Sequence, residues 1–170
     1  AELDEYKNKP PAPLPRTGQA GSTFFEAPPG SDANLQKGET WPNPRFADNQ
    51  NGTVTDNLTG LVWLKNSNCP QFFLEDKIGQ NQRSWGDAIR AANALGASAS
   101  ERFCELDDGS KPGDWRLPNL RELLSLVHYG FAGPALPNTD GTGKWEENHP
   151  FTGILLNFYW SSSSKANATT

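Results

Sequence analysis

Methionine is absent from the 170-residue chain, and only two cysteines and two histidines are present. The longest apolar stretches, Leu61 to Leu64 and Ile154 to Leu156, fall far short of the roughly 20 residues that cross a bilayer. No membrane span is expected. Without an initiator, Ala1-Glu2 reads as the remainder of a small-residue signal-peptidase site, so the chain is expected to be exported, extracellular or on the cell surface. Fifteen Lys and Arg lie scattered among twenty Asp and Glu, for a net charge of -5. With no basic run and no interleaved aromatics to hold a phosphate backbone, nucleic acid is excluded as a partner. Catalytic constellations are missing too: no Gly-x-Ser-x-Gly elbow, no phosphate-binding loop and no His-Glu-x-x-His, hence no nucleophile beside a base. The chain reads as no enzyme, with no catalytic residue and no assigned metal or cofactor site.

What is present is enough to fold. Sixteen Gly and fourteen Pro are many, but six Trp and nine Phe furnish a core. The length fits one domain, or a smaller one carrying an arm. In an exported chain a single cysteine pair closes on itself, and Cys69 to Cys104 would enclose about 36 residues, worth roughly 3.5–4 kcal/mol on the chain-entropy model. The alternatives are two buried thiols, or zinc ligands completed by His128 and His149, where about four ligands are needed.

Residues 1–44 hold eight of the fourteen prolines, a density that no helical or strand period survives. They are expected to form an extended Pro/Gly-rich arm, with Phe24, Phe25 and Trp41 pinning its later part to the domain at 45–170. From Arg45 short strands are expected: Asn51-Gly52 as a two-residue hairpin turn, Thr53-Val54-Thr55 as its strand, and Leu61-Val62-Trp63-Leu64 as a buried strand. Ser84 caps a helix reaching Leu95, with Trp85, Ala88, Ile89, Ala92 and Leu95 on one face and Gly96 as its stop. Asn119 caps a second, to about His128, with Leu120, Leu123, Leu124 and Val127 as its core stripe. Both helices are expected on the same sheet.

Two acidic loops are candidate hard-cation sites. Asp48 to Asp56 alternates oxygen ligands before a glycine, yet the helix-loop-helix calcium register would place Ala47 and Leu58 at ligand positions, which excludes that motif. Glu105 to Asp114 gathers Asp107, Asp108 and Asp114 around glycines, making it a candidate binding loop with calcium as its ion. For both loops the alternative is a turn whose Asp and Asn side chains cap their own backbone. Asn51, Asn57 and Asn167 stand in glycosylation sequons, and Ser161 to Ser164 could carry O-linked sugar.

Arg45-Phe46-Ala47-Asp48, Asn51 to Asp56, Thr59 to Leu64, Gly113-Asp114-Trp115-Arg116-Leu117-Pro118 and Tyr159-Trp160-Ser161-Ser162-Ser163 occur in that order. Together they resemble the C-terminal domain of the Legionella collagen-like adhesin family, from about Pro15 to Ser163. Trp-Arg-Leu-Pro before an acidic helix is also similar to the formylglycine-generating type of C-type lectin fold. The resemblance implies an α+β, C-type lectin-like domain, two helices packed on twisted antiparallel sheets, with a structural core motif of Trp63, Trp85, Trp115, Arg116, Leu117, Pro118 and Trp160. It implies a surface trimer that recognises sulfated glycosaminoglycans. Family members continue past Tyr-Trp-Ser-Ser with further strands, so a strand beginning at Asn157 is expected to lack its last neighbours.

These readings lead to a non-catalytic exported module that binds surface glycans or extracellular matrix, as a homo-oligomer. The alternative is a structural subunit of an extracellular filament or assembly, its sheet completed by arm or strand exchange between copies of itself.

Overall fold

The computed structural model describes residues 14–20, 26–69, 84–97 and 103–164. They form a small α+β structure in the order α1 (Asp32–Leu35), β1 (Phe46–Asp48), β2 (Thr53–Asp56), β3 (Val62–Leu64), α2 (Trp85–Ala94), a 3-10 turn (Phe103–Glu105) and α3 (Leu120–Ser125). The strands make one antiparallel sheet ordered β1-β2-β3. Central β2 buries Thr53, Val54 and Asp56, whereas β3, expected to be buried, is an edge strand with Val62 half exposed.

The hairpin turn is longer than the Asn-Gly signal implies. Pairing ends at Asp48 and Val54, and the Asn49 N–H donates to the Thr53 carbonyl at 3.1 Å, leaving Gln50, Asn51 and Gly52 as a three-residue loop. Side chains fix it: Asp48 Oδ1 accepts from the Gln50 N–H at 2.9 Å, and Asn51 Oδ1 accepts from the Thr53 N–H and hydroxyl. Gly52 is required for a close approach, because a Cβ there would lie 2.5 Å from the Glu105 carbonyl oxygen. The hairpin tip thus docks on the segment after Cys104, an attachment reinforced by the Asp107 N–H donating to the Asn51 carbonyl.

Two apolar clusters follow. Phe46, Val54, Leu136 and Phe151 pack under the sheet with Trp63, Leu126, Trp145 and Ile154 around them. The second gathers Leu95, Leu106 and the Cys69–Cys104 disulfide, with Leu64, Ala97 and Trp115 against it. The bridged Cα atoms are 5.3 Å apart. The helices therefore seat differently from expectation: α2 reaches the disulfide cluster through its C-cap Leu95, and the turn after α3 reaches the sheet cluster through Leu126.

Helix α2 has the expected cap, with Ser84 Oγ accepting from the Asp87 N–H, and buries Ala88 and Ala92. It ends on an extended Leu95. Gly96 is needed there for space, since a Cβ would stand 2.8 Å from the Lys111 carbonyl carbon. Helix α3 has the full capping box of Asn119 and Glu122 but stops at Ser125, short of His128. The cause is competition for hydrogen bonds. Ser125's carbonyl accepts from Arg45 Nη2 at 2.9 Å, and the Tyr129 N–H that would have reached it donates to Thr17 instead. No α3 residue is buried, and Leu120 and Leu124, expected in the core, are about half exposed.

Beneath this frame, Arg45 and Asp56 form an ion pair with both side chains fully buried. Nε and Nη2 donate to the two carboxylate oxygens at 2.7 and 2.9 Å, a fork-to-fork geometry that only Arg supplies. The guanidinium lies 4.4 Å from the Trp41 ring centre. Asp56 also accepts from the Leu58 N–H and the Thr59 hydroxyl, which fixes the turn into β3.

The arm's described parts are anchored. Arg16 and Glu39 N–H groups donate to Glu39 and Leu14 carbonyls, and Trp41 Nε1 donates to the Arg16 carbonyl at 2.7 Å. Trp41 pins it, as expected, while Phe24 and Phe25 lie outside the described residues. One helical turn, α1, interrupts the extended course, because Ser31 caps the proline-free Asp32–Leu35 by accepting from the Asn34 N–H.

The disulfide yields the prediction that tests this frame. Replacing both bridging residues, Cys69→Ser with Cys104→Ser, is expected to cost roughly 3.5–4 kcal/mol in urea unfolding. A loss under about 1 kcal/mol would show that the second cluster holds without it.

Candidate functional site

In the acidic loop two of the expected carboxylates close turns of their own backbone. Asp108 Oδ1 accepts from the Ser110 N–H at 3.0 Å and from its hydroxyl at 2.6 Å. Ser110 Oγ in turn accepts from Trp115 Nε1 at 2.9 Å. The carboxylate therefore orients the Trp115 indole through one intermediate hydroxyl. Asp114 Oδ2 accepts from the Lys111 N–H and closes its own turn, and Asp107 meets the hairpin through its backbone. In the Asp48–Asp56 loop, Asp48 pairs with Lys65 at 2.7 Å and Asp56 with Arg45. Such self-capping is what short Asp and Asn side chains do in turns. Among the described residues no three His, Cys, Asp or Glu converge where a metal ion could sit.

A different arrangement emerges where two tryptophan motifs meet. The Ser162 N–H donates to the Pro118 carbonyl at 2.7 Å. Ser163 Oγ accepts from the Leu120 N–H at 3.0 Å, satisfying one of the donors that a helix start leaves open. Trp85 Nε1 donates to the Ser161 carbonyl at 2.9 Å. The serine run is thereby clamped between the first turn of α3 and the start of α2. Arg116 grips Glu122 through both terminal nitrogens, at 2.7 and 2.6 Å. Glu122 Oε2 also accepts from the Asn119 N–H at 2.7 Å.

Electrostatics follow that geometry. The hydrogen bonds from Arg116, and then from the Asn119 N–H, hold the Glu122 carboxyl at about 2, against its ordinary 4.5. The pair stays charged through the neutral range.

Around the clamp stands an apolar surface. Trp85 and Trp160 are 39% and 49% exposed, Tyr159 is 43% exposed and Phe158 is 98% exposed, and Leu120 and Leu156 are likewise exposed. The strand expected from Asn157 is absent from the described residues. Local bonds take its place: the Phe158 N–H donates to Asn157 Oδ1, and the Tyr159 hydroxyl bonds both backbone groups of Leu155. Leu155 to Ser164 carries no charged residue. Exposed rings with adjacent hydroxyls and amides can stack on and hydrogen-bond a ligand.

Of the core-motif residues, Trp63 packs on the sheet cluster and Trp115 on the disulfide cluster. Arg116, Leu117 and Pro118 form the bracket of the clamp, and Trp85 and Trp160 line its open side. Both motifs stand out in the sequence, but their junction does not. The signal available was a serine run after tryptophan, able to cap a helix start elsewhere in the chain.

A family model described as the Lcl C-terminal domain matches residues 52–170. No curated protein and no solved structure matches the chain. The match begins inside the hairpin, so Asp56 lies within it while Arg45 and β1 precede it.

The clamp sets an acid limit. Because the folded Glu122 value is depressed, its contribution is complete above about pH 4.5 and is lost as pH falls toward about 2. In an NMR titration the Asn119 amide is expected to shift with a midpoint well below 4.5, and Glu122→Gln to abolish the shift. An ordinary carboxylate midpoint would contradict the geometry.

Proposed function

The chain belongs to the Lcl C-terminal domain family, and from that premise we propose that it is an exported, non-catalytic adhesion module holding surface glycans or extracellular matrix. The reading carries with it a C-type lectin-like fold, in which the two capped helices and the sheet brace loops that face outward. The single observation behind it is the clamped aromatic surface, Trp85 with Phe158, Tyr159 and Trp160. The Trp85 ring, held by its hydrogen bond to Ser161, and the Tyr159 ring, held by its hydroxyl to Leu155, lose little freedom when a ligand arrives, and this favours holding. Polar groups that could do chemistry are occupied in turns and caps, as with Asp108, Asp114 and Glu122.

A second reading is a structural subunit of an extracellular filament or assembly, completed by arm or strand exchange between copies. The edge strand β3 and the exposed Leu156 and Phe158 favour it, since open edges and apolar strips are where chains pair.

An array of glycans and matrix polymers, probed with the folded full chain with and without calcium, tests the first reading. Binding is expected, and Trp85→Ala with Trp160→Ala is expected to weaken it about tenfold or more under conditions where unfolding curves show the variant folded. A blank array would contradict the adhesion reading, and concentration-dependent assembly in sedimentation would then favour the subunit.

A further inference from the structure

We propose that His128 is a pH-governed latch: neutral, it holds the segment Leu14–Gly18 of the arm on the domain, and protonated, it releases it. The imidazole is buried, 6% exposed, in a slot made by both partners. Phe131 stacks on it at 4.0 Å and Trp41 meets its edge at 5.1 Å. Gly18 of the arm lies so close that a Cβ would stand 2.5 Å from the ring, and Gly130 leaves little more room on the domain side. The next residue, Tyr129, donates its N–H to the Thr17 carbonyl at 3.0 Å, joining arm and domain beside the ring.

The hydrogen bonding defines the state that fits. His128 Nδ1 accepts from the Gly130 N–H at 3.1 Å, so the seated ring is neutral with its proton on Nε2. Protonation places a second hydrogen on Nδ1, pointing at that N–H. It also places a cation in a buried slot beside a guanidinium already there, a cost that the attraction of the stacked Phe131 face offsets only in part. Of the charged groups around it, Arg45 acts on the ring directly, and Asp56 neutralises only part of that charge through its pair. Arg16 is turned to the Gly38 carbonyl, Asp32 takes the Thr17 hydroxyl, and Tyr129 stands open to solvent. Burial lowers the ring's affinity for a proton below its ordinary 6.5; a hydrogen bond to its own backbone carbonyl opposes that in part, and Arg45 adds to the lowering.

The sign follows. The released state binds the proton more readily, so docking is complete above about pH 6.5 and weakens as pH falls, about tenfold per unit, until the seated ring itself titrates. Release bares Trp41, Phe131 and the imidazole together. An exported chain moving between neutral and mildly acidic surroundings would thereby change the reach of its arm and the apolar surface it shows.

With two histidines in the chain, NMR of the full-length protein resolves His128 from His149. His128 is expected to titrate below 6.5, and the exchange protection of the Tyr129 amide to fall with the same midpoint while β2 amides stay protected. His128→Phe, which keeps the stacking without the titration, is expected to hold Tyr129 protection through that range. Tyr129 protection that persists while His128 titrates, loss of β2 and Tyr129 protection together, or loss in the Phe variant at the wild-type midpoint would each overturn the latch. If the Phe variant does not fold, coincidence of the two wild-type midpoints supports the latch and their separation overturns it.

Discussion

A guanidinium and a carboxylate, both removed from water, hold this small structure in one arrangement. Each ion costs several kcal/mol to desolvate, and only near-ideal geometry with further hydrogen bonds offsets it. Arg45 and Asp56 meet that condition on most sides: two parallel N–H to oxygen bonds, a third to the last carbonyl of α3, and a turn closed on the remaining lone pairs of Asp56. Trp41 and Phe46 cover the guanidinium faces. The one shortfall is Nη1, buried with no partner among the described residues. A pair this exacting tolerates few alternatives, so arm, hairpin, turn and α3 are placed together. It also joins residues ahead of the family match to residues within it.

Local rules were legible in the residues and long-range competition was not. Caps at Ser84 and Asn119, the disulfide and the β2 strand follow from side chains acting within a few positions, or from the one pairing that two cysteines allow. The end of α3 does not, because Arg45 and Thr17, remote in sequence, take its backbone groups. Gly96 shows the same limit: the residue marks a helix end, but its cause is Lys111, not a left-handed turn. Edge and centre of a three-stranded sheet are likewise a matter of which neighbours arrive, which apolar content cannot disclose. At the candidate site, both tryptophan motifs were visible, and their junction through Ser161 to Ser163 was not.

The pieces combine into a scaffold that spends its polar groups on structure. Asp108 orients Trp115 through Ser110, Glu122 ties Arg116 to the start of α3, and Asp56 seats Arg45. Several large apolar and aromatic side chains remain open to solvent beside the clamped serine run, Trp85, Phe158, Tyr159 and Trp160 among them. On the other flank, the arm meets the domain through Gly18, Trp41 and His128, a contact of aromatic rings and backbone that charge would disturb.

A double-mutant cycle on the buried pair tests the central claim most directly. Asp56→Leu or Arg45→Met alone is expected to lose about 3–5 kcal/mol in urea unfolding, because each strands a buried charge, and the double variant far less than their sum. Additive losses, or singles within about 0.5 kcal/mol of the parent, would contradict the account and move the organising interaction elsewhere.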